Sequence, residues 1–462
     1  MTIAATRPPR TRPPVPRHGR PEPSGRAGWV TAVRRVQTSS ILLALVVLLC
    51  LVGLVMVGSA SEIIAIDTYG SPWAIFIREC MWVAVGGVAL FVTCRFDYRR
   101  WRKLSGVMVV VTMLLLLAVL VPGIGTNSGG SSRWIGLSSF GIQPSELMKL
   151  AIAIFGADLV VRREQQGRAH RTIVGPLLLV AAAAAGLILL QPDMGTALII
   201  GCITMAILFA SGAPMKPIAK VIGVLAVFAL IVGLIEPYRR ARLLSFLNPG
   251  AHASGSGYQV VQSLIGLGSG HFFGVGLGNG REKWGYLPNA HTDFIFSVVG
   301  EELGLVGAVC LLALLVAFCW FGLRAATRAP DRFGGLLAVA LVVWIAAETV
   351  VNVGAVVGLL PVTGIPLPFI SFGGTSLVIT MVAAGILINI ARQERAPTDG
   401  PRQERPAAGS SRRERAPVDT ARRERAPVDT ARRKRAPVDG PRRTVPLAHA
   451  ARPARGSGAA GR

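Results

Sequence analysis

Residues 41–58 read ILLALVVLLCLVGLVMVG, eighteen consecutive positions without a charge. A hydrocarbon core roughly 30 Å thick needs about 18 or more such residues in a helix, and in lipid only a helix or a closed barrel satisfies the backbone. Runs of this kind recur along the 462 residues, which are 52% hydrophobic and 16% charged. They are too long and continuous for barrel strands. The fold class is therefore an all-α polytopic membrane protein.

Ten transmembrane helices are expected, over 39–58, 72–94, 105–122, 144–161, 173–190, 195–212, 218–236, 294–322, 335–360 and 375–391. Basic residues in the connections set the orientation. With the N-terminus inside, every inner loop is basic (CRFDYRRWRKL, RREQQGRAHR, KPIAK, RAATRAPDRF), while the first, third and fifth outer loops lack Lys and Arg. Both termini are then cytoplasmic. The sequence VGSASE after the first span resembles a cleavage site, but a long polar segment precedes that span, and it reads as a retained anchor. All six cysteines fall inside spans, so packing is their expected role.

Three regions follow: residues 1–38, a disordered basic cytoplasmic segment; 39–391, the ten-span membrane domain; and 392–462, a disordered basic cytoplasmic tail with decapeptide repeats such as ARRERAPVDT. Such compositions cannot bury enough apolar surface to fold. Nineteen of the 49 Lys and Arg lie beyond position 391, so much of the +25 charge belongs to the tail. Anionic headgroups or an acidic partner suit it; no recognition fold or stacking aromatic points to nucleic acid.

Chemistry-bearing residues gather on the outer side. The large outer loop between spans seven and eight, residues 237–293, holds aromatics and a glycine ladder, GLGSGHFFGVGLGNG. It matches neither a Walker loop nor a dinucleotide fingerprint, and no organic cofactor is expected. The loop ends in YLPNAHTDFIFSVVGEELG, residues 286–304, which sets Asp293 at the outer mouth of span eight. Glu301 would lie about 12 Å deeper along a continuous helix, and Glu302 beside it would pair with a cation. Ionisable groups in spans are functional candidates. The cations available are Arg133, Lys149, Arg239, Arg240, Arg242, Arg281 and Lys283, with Arg78 in span two. Glu146 and Lys149 share one helix face at i and i+3, following Gln143. QPDMGT supplies Asp193, and Trp344, Glu348 and Asn352 form a polar stripe on span nine. His252, His271 and His291 lack zinc spacing and read as loop residues. Two functions fit: a transporter or flippase, and an enzyme acting on a lipid-borne substrate. The outer-interface placement of Asp293 favours the enzyme, because transporters concentrate acids near the midplane in broken helices.

The ordered motifs RWIGL, IQPSELMKL, QPDMGTAL, FLNP, GSGYQVVQS, YLPNAHTDFIFSVVGEELG and LLPVTGIPLPFISFGGTSL resemble those of the SEDS family (shape, elongation, division and sporulation), its FtsW members more than its RodA members. The resemblance covers residues 39–391. It implies a ten-span peptidoglycan glycosyltransferase that polymerises lipid II onto a growing lipid-linked glycan at the outer face of the cytoplasmic membrane, at the division septum, with inversion at the sugar carbon. It implies a class B penicillin-binding protein and other divisome proteins as partners. The family's essential aspartate maps onto Asp293, as general base or metal ligand. Substrate contacts are expected from Arg133, Gln143, Glu146, Lys149, Asp193, Arg239, Arg240, Arg242, Lys283 and Glu301. Mg2+ or Mn2+ would suit a pyrophosphate substrate, although no compact ligand motif is visible. Two departures from the family pattern are Glu79 in FIREC, where many members have Gln, and an extra GGSS before Arg133.

Overall fold

The computed structural model describes residues 37–123, 125–128, 131–136, 141–167, 171–214 and 257–394, with isolated positions between. The helices are α1 (Thr38–Tyr69), α2 (Ala74–Arg95), α3 (Trp101–Val119), α4 (Pro144–Gln165), α5 (Arg171–Leu190), α6 (Met194–Ala210), α7 (Tyr258–Ser269), α8 (Ile295–Thr327), α9 (Arg332–Val356) and α10 (Gly374–Arg392). All except α7, a short helix in the outer loop, fall on expected spans. The seventh expected span, 218–236, and both tails lie outside the described residues, as do Arg239, Arg240 and Arg242. Among the described residues, six helical segments are long and apolar enough to cross a membrane, and shorter apolar stretches cover Val174–Leu190 and Met194–Ala210.

Three features depart from the expected pattern. The first helix runs eleven residues beyond residue 58, because nothing in SASEIIAIDTY breaks it before Gly70, which caps it with φ 70°. The outer segment between α3 and α4 contains a small antiparallel hairpin, β1 (Gly125–Ser128) with β2 (Ser131–Ile135), where a loop without strands was expected. The eighth helix is not continuous: Gly304 has φ 69° and ψ −169°, a conformation essentially reserved for glycine.

That break determines how the outer face is built. Backbone groups freed by it pair with the glycine ladder: Val275 and Gly276 donate to the carbonyls of Glu301 and Glu302 at 3.0 and 3.1 Å, and Leu305 and Val306 donate to those of His271 and Phe272 at 3.0 and 3.1 Å. Chains this close leave no room for side chains. A Cβ on Gly274 would lie 2.1 Å from the Glu302 carbonyl oxygen, and one on Gly270 would lie 1.9 Å from that of Gly300.

Elsewhere the bundle also uses small residues for close packing, as helices in lipid do. Gly385 of α10 lies against Thr93 and the Leu90 carbonyl of α2, and Asn389 accepts from Tyr98 N at 3.1 Å while donating to Cys94 O at 2.9 Å. All six cysteines are free. The lipid-facing sides carry exposed Val88, Phe91, Leu114 and Trp320.

Gly304→Ala is expected to destabilise the protein by about 1–3 kcal/mol from backbone strain alone, and by more because its Cβ would lie 2.3 Å from Gly274 N. Gly87→Ala meets nothing within 4 Å and should leave the thermal midpoint in detergent unchanged. Equal midpoints for the two variants would refute the role given to the break.

Candidate functional site

Asp293 ends the outer loop two residues before α8 begins. Its backbone is held from α9: the Asn352 amide donates 2.8 Å bonds to both the Asp293 and the Ile365 carbonyls. Asn352 is buried and can make these bonds only if α9, the start of α8 and the 361–373 segment meet at one point. The Asp293 carboxylate lies over Gly364, where a Cβ would sit 3.5 Å from Oδ2. Gly364 has φ 76°, so its lack of a side chain serves both the turn and the space above it.

The same segment touches the N-terminus of α6. A Cβ on Gly195 would collide with Ile365 at 2.6 Å and crowd Thr363 at 3.2 Å. Asp193 caps that helix, accepting from Thr196 N at 3.0 Å and Thr196 Oγ1 at 2.8 Å. Gln143 reaches Asp193 Oδ2 at 3.4 Å. Arg133 donates to the Gln191 carbonyl at 3.0 Å and to that of Pro192. Thr375 at the start of α10 donates to Gly141 O at 3.1 Å. Asp293 and the N-terminus of α6 therefore both border the 361–373 segment, and Gln143 and Arg133 are bound to the residues that cap that helix.

Below this ring lies a buried charge cluster. Lys149 pairs with Glu146 at 2.7 Å and with Glu348, and its ammonium stands 5.0 Å from the Trp344 ring centre. All three charged side chains are buried. Glu348 precedes Asn352 by one helical turn, about 6 Å of rise, so the cluster sits directly inward of the Asp293 support. The i,i+3 pair of Glu146 and Lys149 is visible in sequence; the second carboxylate comes from a helix 199 positions away.

Glu301 and Lys283 belong to a neighbouring cluster. Glu301 accepts from the backbone of Arg281 at 2.6 Å and Glu282 at 3.3 Å. Lys283 reaches Glu62 of α1 at 3.4 Å. Among the described residues Glu302 has no cation as its partner; both its oxygens receive the Ser59 hydroxyl at 2.7 Å. These acids fasten the outer loop and α1 to the segment above the break. His291 stacks obliquely on Phe372 at 5.7 Å, and burial pushes its imidazole down to about 4, leaving it neutral near pH 7. Glu282 escaped sequence reading because REKW looks like solvated charge. It is buried, with one carboxylate oxygen lacking a hydrogen-bond partner. Among the described residues, no three His, Cys, Asp or Glu side chains converge so as to hold a metal ion.

The profile of the FtsW/RodA/SpoVE family, described as cell cycle proteins, matches residues 39–396. The chain belongs to this family. It is 40% identical over 361 residues to "Probable peptidoglycan glycosyltransferase FtsW" of Mycobacterium tuberculosis, covering 78% of this chain and 69% of that one. It is 38% identical over 364 residues to "Stage V sporulation protein E" of Bacillus subtilis, covering 78% and 99%. Among solved structures, a chain from "Structural coordination of polymerization and crosslinking by a peptidoglycan synthase complex" superposes with a TM-score of 0.64 at 28% identity, covering 77% of this chain and 98% of that one. The rod shape determining protein RodA of Thermus thermophilus gives 0.57 at 25% identity, covering 77% and 97%. The matched region of this FtsW/RodA/SpoVE member contains every element that positions Asp293.

Burial, and then the negative charge of Glu301, push the Glu282 carboxyl up to about 7. Its native pKa lies above its ordinary value, so its neutral form fits the fold. The stability it contributes is full below the ordinary carboxylate range and is lost as pH rises through about 7. The thermal midpoint should fall between about pH 4.5 and about pH 7 and level off above that, and Glu282→Gln should flatten that slope. The same slope in both proteins would assign it to another group.

Proposed function

We propose that this chain is a peptidoglycan glycosyltransferase that polymerises lipid II into glycan strands at the outer face of the cytoplasmic membrane, serving septal wall synthesis in cell division. The observation that carries this reading is a carboxylate beside the start of α8, with its backbone pinned by Asn352 and its side chain in contact range of Gly364. The relatives named peptidoglycan glycosyltransferase support the reaction class. The multi-pass body and basic inner loops support a cytoplasmic-membrane location with both termini inside.

The acceptor is the GlcNAc 4-hydroxyl of lipid II, a poor nucleophile at neutral pH. Asp293 takes its proton as the oxygen attacks the anomeric carbon of the lipid-linked donor. The bond from that carbon to the pyrophosphate breaks, the leaving group departs with the electron pair, and attack from the opposite face converts the α linkage to β-1,4. A positioned base contributes about 10²–10⁴-fold. Charge on the departing pyrophosphate needs cations. Arg133, Lys149, Arg239, Arg240, Arg242 and Lys283 are the candidates, with Gln143, Asp193, Glu146 and Glu301 shaping the surroundings. Lys149 is already matched by two carboxylates, so a pyrophosphate would compete with Glu146 and Glu348 for it. The polyprenyl tails stay in the bilayer while the headgroups reach the interface. A class B penicillin-binding protein is the proposed partner, within a larger set of divisome proteins.

A lipid II flippase is the second reading, favoured by the charged cluster inside the bundle. Against it, the break in α8 lies near the outer boundary and not at the midplane.

The test is polymerisation of lipid II by the purified protein with its class B partner. Asp293→Asn should lower strand formation by about 10² or more while the folded complex survives. Full activity in that variant, or no polymer from a well-folded wild-type complex, would sink the proposal. Asn352→Ala frees the Asp293 backbone. Turnover should fall on the order of 10-fold to 10²-fold through misplacement of the base, with a much smaller change in KM; an unchanged turnover would remove Asn352 from the account.

A further inference from the structure

The outer loop carries Phe272 and Phe273 at 68% and 83% exposure, next to one another on a segment whose backbone is otherwise tightly bound. Two such rings facing water would be an unusual use of a structured loop. Their height in the membrane can be read from two helices independently.

The lower part of α8, from Leu305 to the cytoplasmic Thr327, is about 33 Å long, matching the hydrocarbon core. Gly304 therefore lies at the outer boundary. On α1, Ser59 stands about 31 Å above Thr38, and Ser59 bonds to Glu302 just above the break. Both rulers place the acids Glu301 and Glu302 at the boundary and the residues after Gly304 inside the leaflet.

The loop reaches that level. The Phe272 carbonyl accepts from Val306 at 3.1 Å and that of His271 from Leu305 at 3.0 Å, so the Phe272 backbone is level with the first turn of the spanning segment. That turn presents Leu305, Val306 and Val309 outward at 52, 48 and 54% exposure, a lipid-facing stripe. His271, with φ 47°, turns the chain immediately before the two rings.

We infer that Phe272 and Phe273 are a membrane anchor of the outer loop, inserted among the acyl chains of the outer leaflet beside Leu305 and Val306. The anchor fixes the free edge of the glycine ladder, whose other edge is bonded to the broken helix. It does not depend on the reaction proposed above.

The test uses the full chain in vesicles of phosphatidylethanolamine and phosphatidylglycerol. Phe273→Cys is labelled with a membrane-impermeant maleimide, with Thr68→Cys, at the exposed outer end of α1, as the water-facing control. All six native cysteines lie on spanning helices, and the unsubstituted protein supplies the background. The thiol introduced by Phe273→Cys is expected to react at least about tenfold more slowly than that of the control, as for a side chain at acyl depth. In parallel, the unsubstituted protein is irradiated with a phospholipid carrying an acyl-chain diazirine, and the crosslinked peptide is identified by mass spectrometry. Slow maleimide reaction with lipid crosslinks at 272–273 supports the anchor. Labelling as fast as the control, or slow labelling without lipid crosslinks, which would mean that protein covers the rings, overturns it.

Discussion

The pairing of residues 271–276 with 301–306 lets a long apolar helix break at Gly304 without leaving its peptide groups unpaired. In lipid an unsatisfied peptide group costs several kcal/mol, so a bare break there would not survive. The glycine ladder supplies the missing partners, and glycine is required because side chains at Gly270 or Gly274 would overlap the facing backbone. The result is a short helix that begins two residues after Asp293 and is separated from the longer segment that follows by Gly304, a residue that can turn.

The rest of the outer architecture fixes that short helix from three sides. Glu301 and Glu302 bind loop amides and Ser59, Asn352 binds its leading end, and the 361–373 segment closes over Asp293 at Gly364. Inward of Asn352, the Lys149 cluster joins α4 to α9 by a buried ion pair. Breaking such a pair by removing one partner costs about 3–5 kcal/mol. A cluster of that kind is better suited to holding two helices in a single register than to yielding its charge to a passing ligand.

The spans were legible because eighteen apolar residues have few other uses, and nine of the ten expected coincide with helices. Asp293 was legible because it stands where a polar, Pro-containing loop meets an apolar run, and the stripe of Trp344, Glu348 and Asn352 because polar residues four apart must face inward. The break at Gly304 was not legible: in EELGLVG a glycine reads as an ordinary packing residue, and only the distant segment 271–276 paired with it reveals its conformation. The same limit hid the Glu348 bond to Lys149 and the Ser59 bond to Glu302. Local sequence exposes periodicity and boundaries, whereas the partner of a buried charge is a property of tertiary contact. Glu282 was hidden for the opposite reason, since flanking Arg and Lys made it look solvated.

The proposed reaction requires the fold to hold the Asp293 carboxylate where it can take a proton from the acceptor sugar. A structure of the complex with lipid II in the acceptor position tests it most directly. The GlcNAc 4-hydroxyl should lie within about 2.6–3.2 Å of an Asp293 oxygen, or be joined to it through one water, with the Asn352 bonds intact. A sugar bound with that hydroxyl facing another residue, and Asp293 turned away from it, would remove Asp293 as the base.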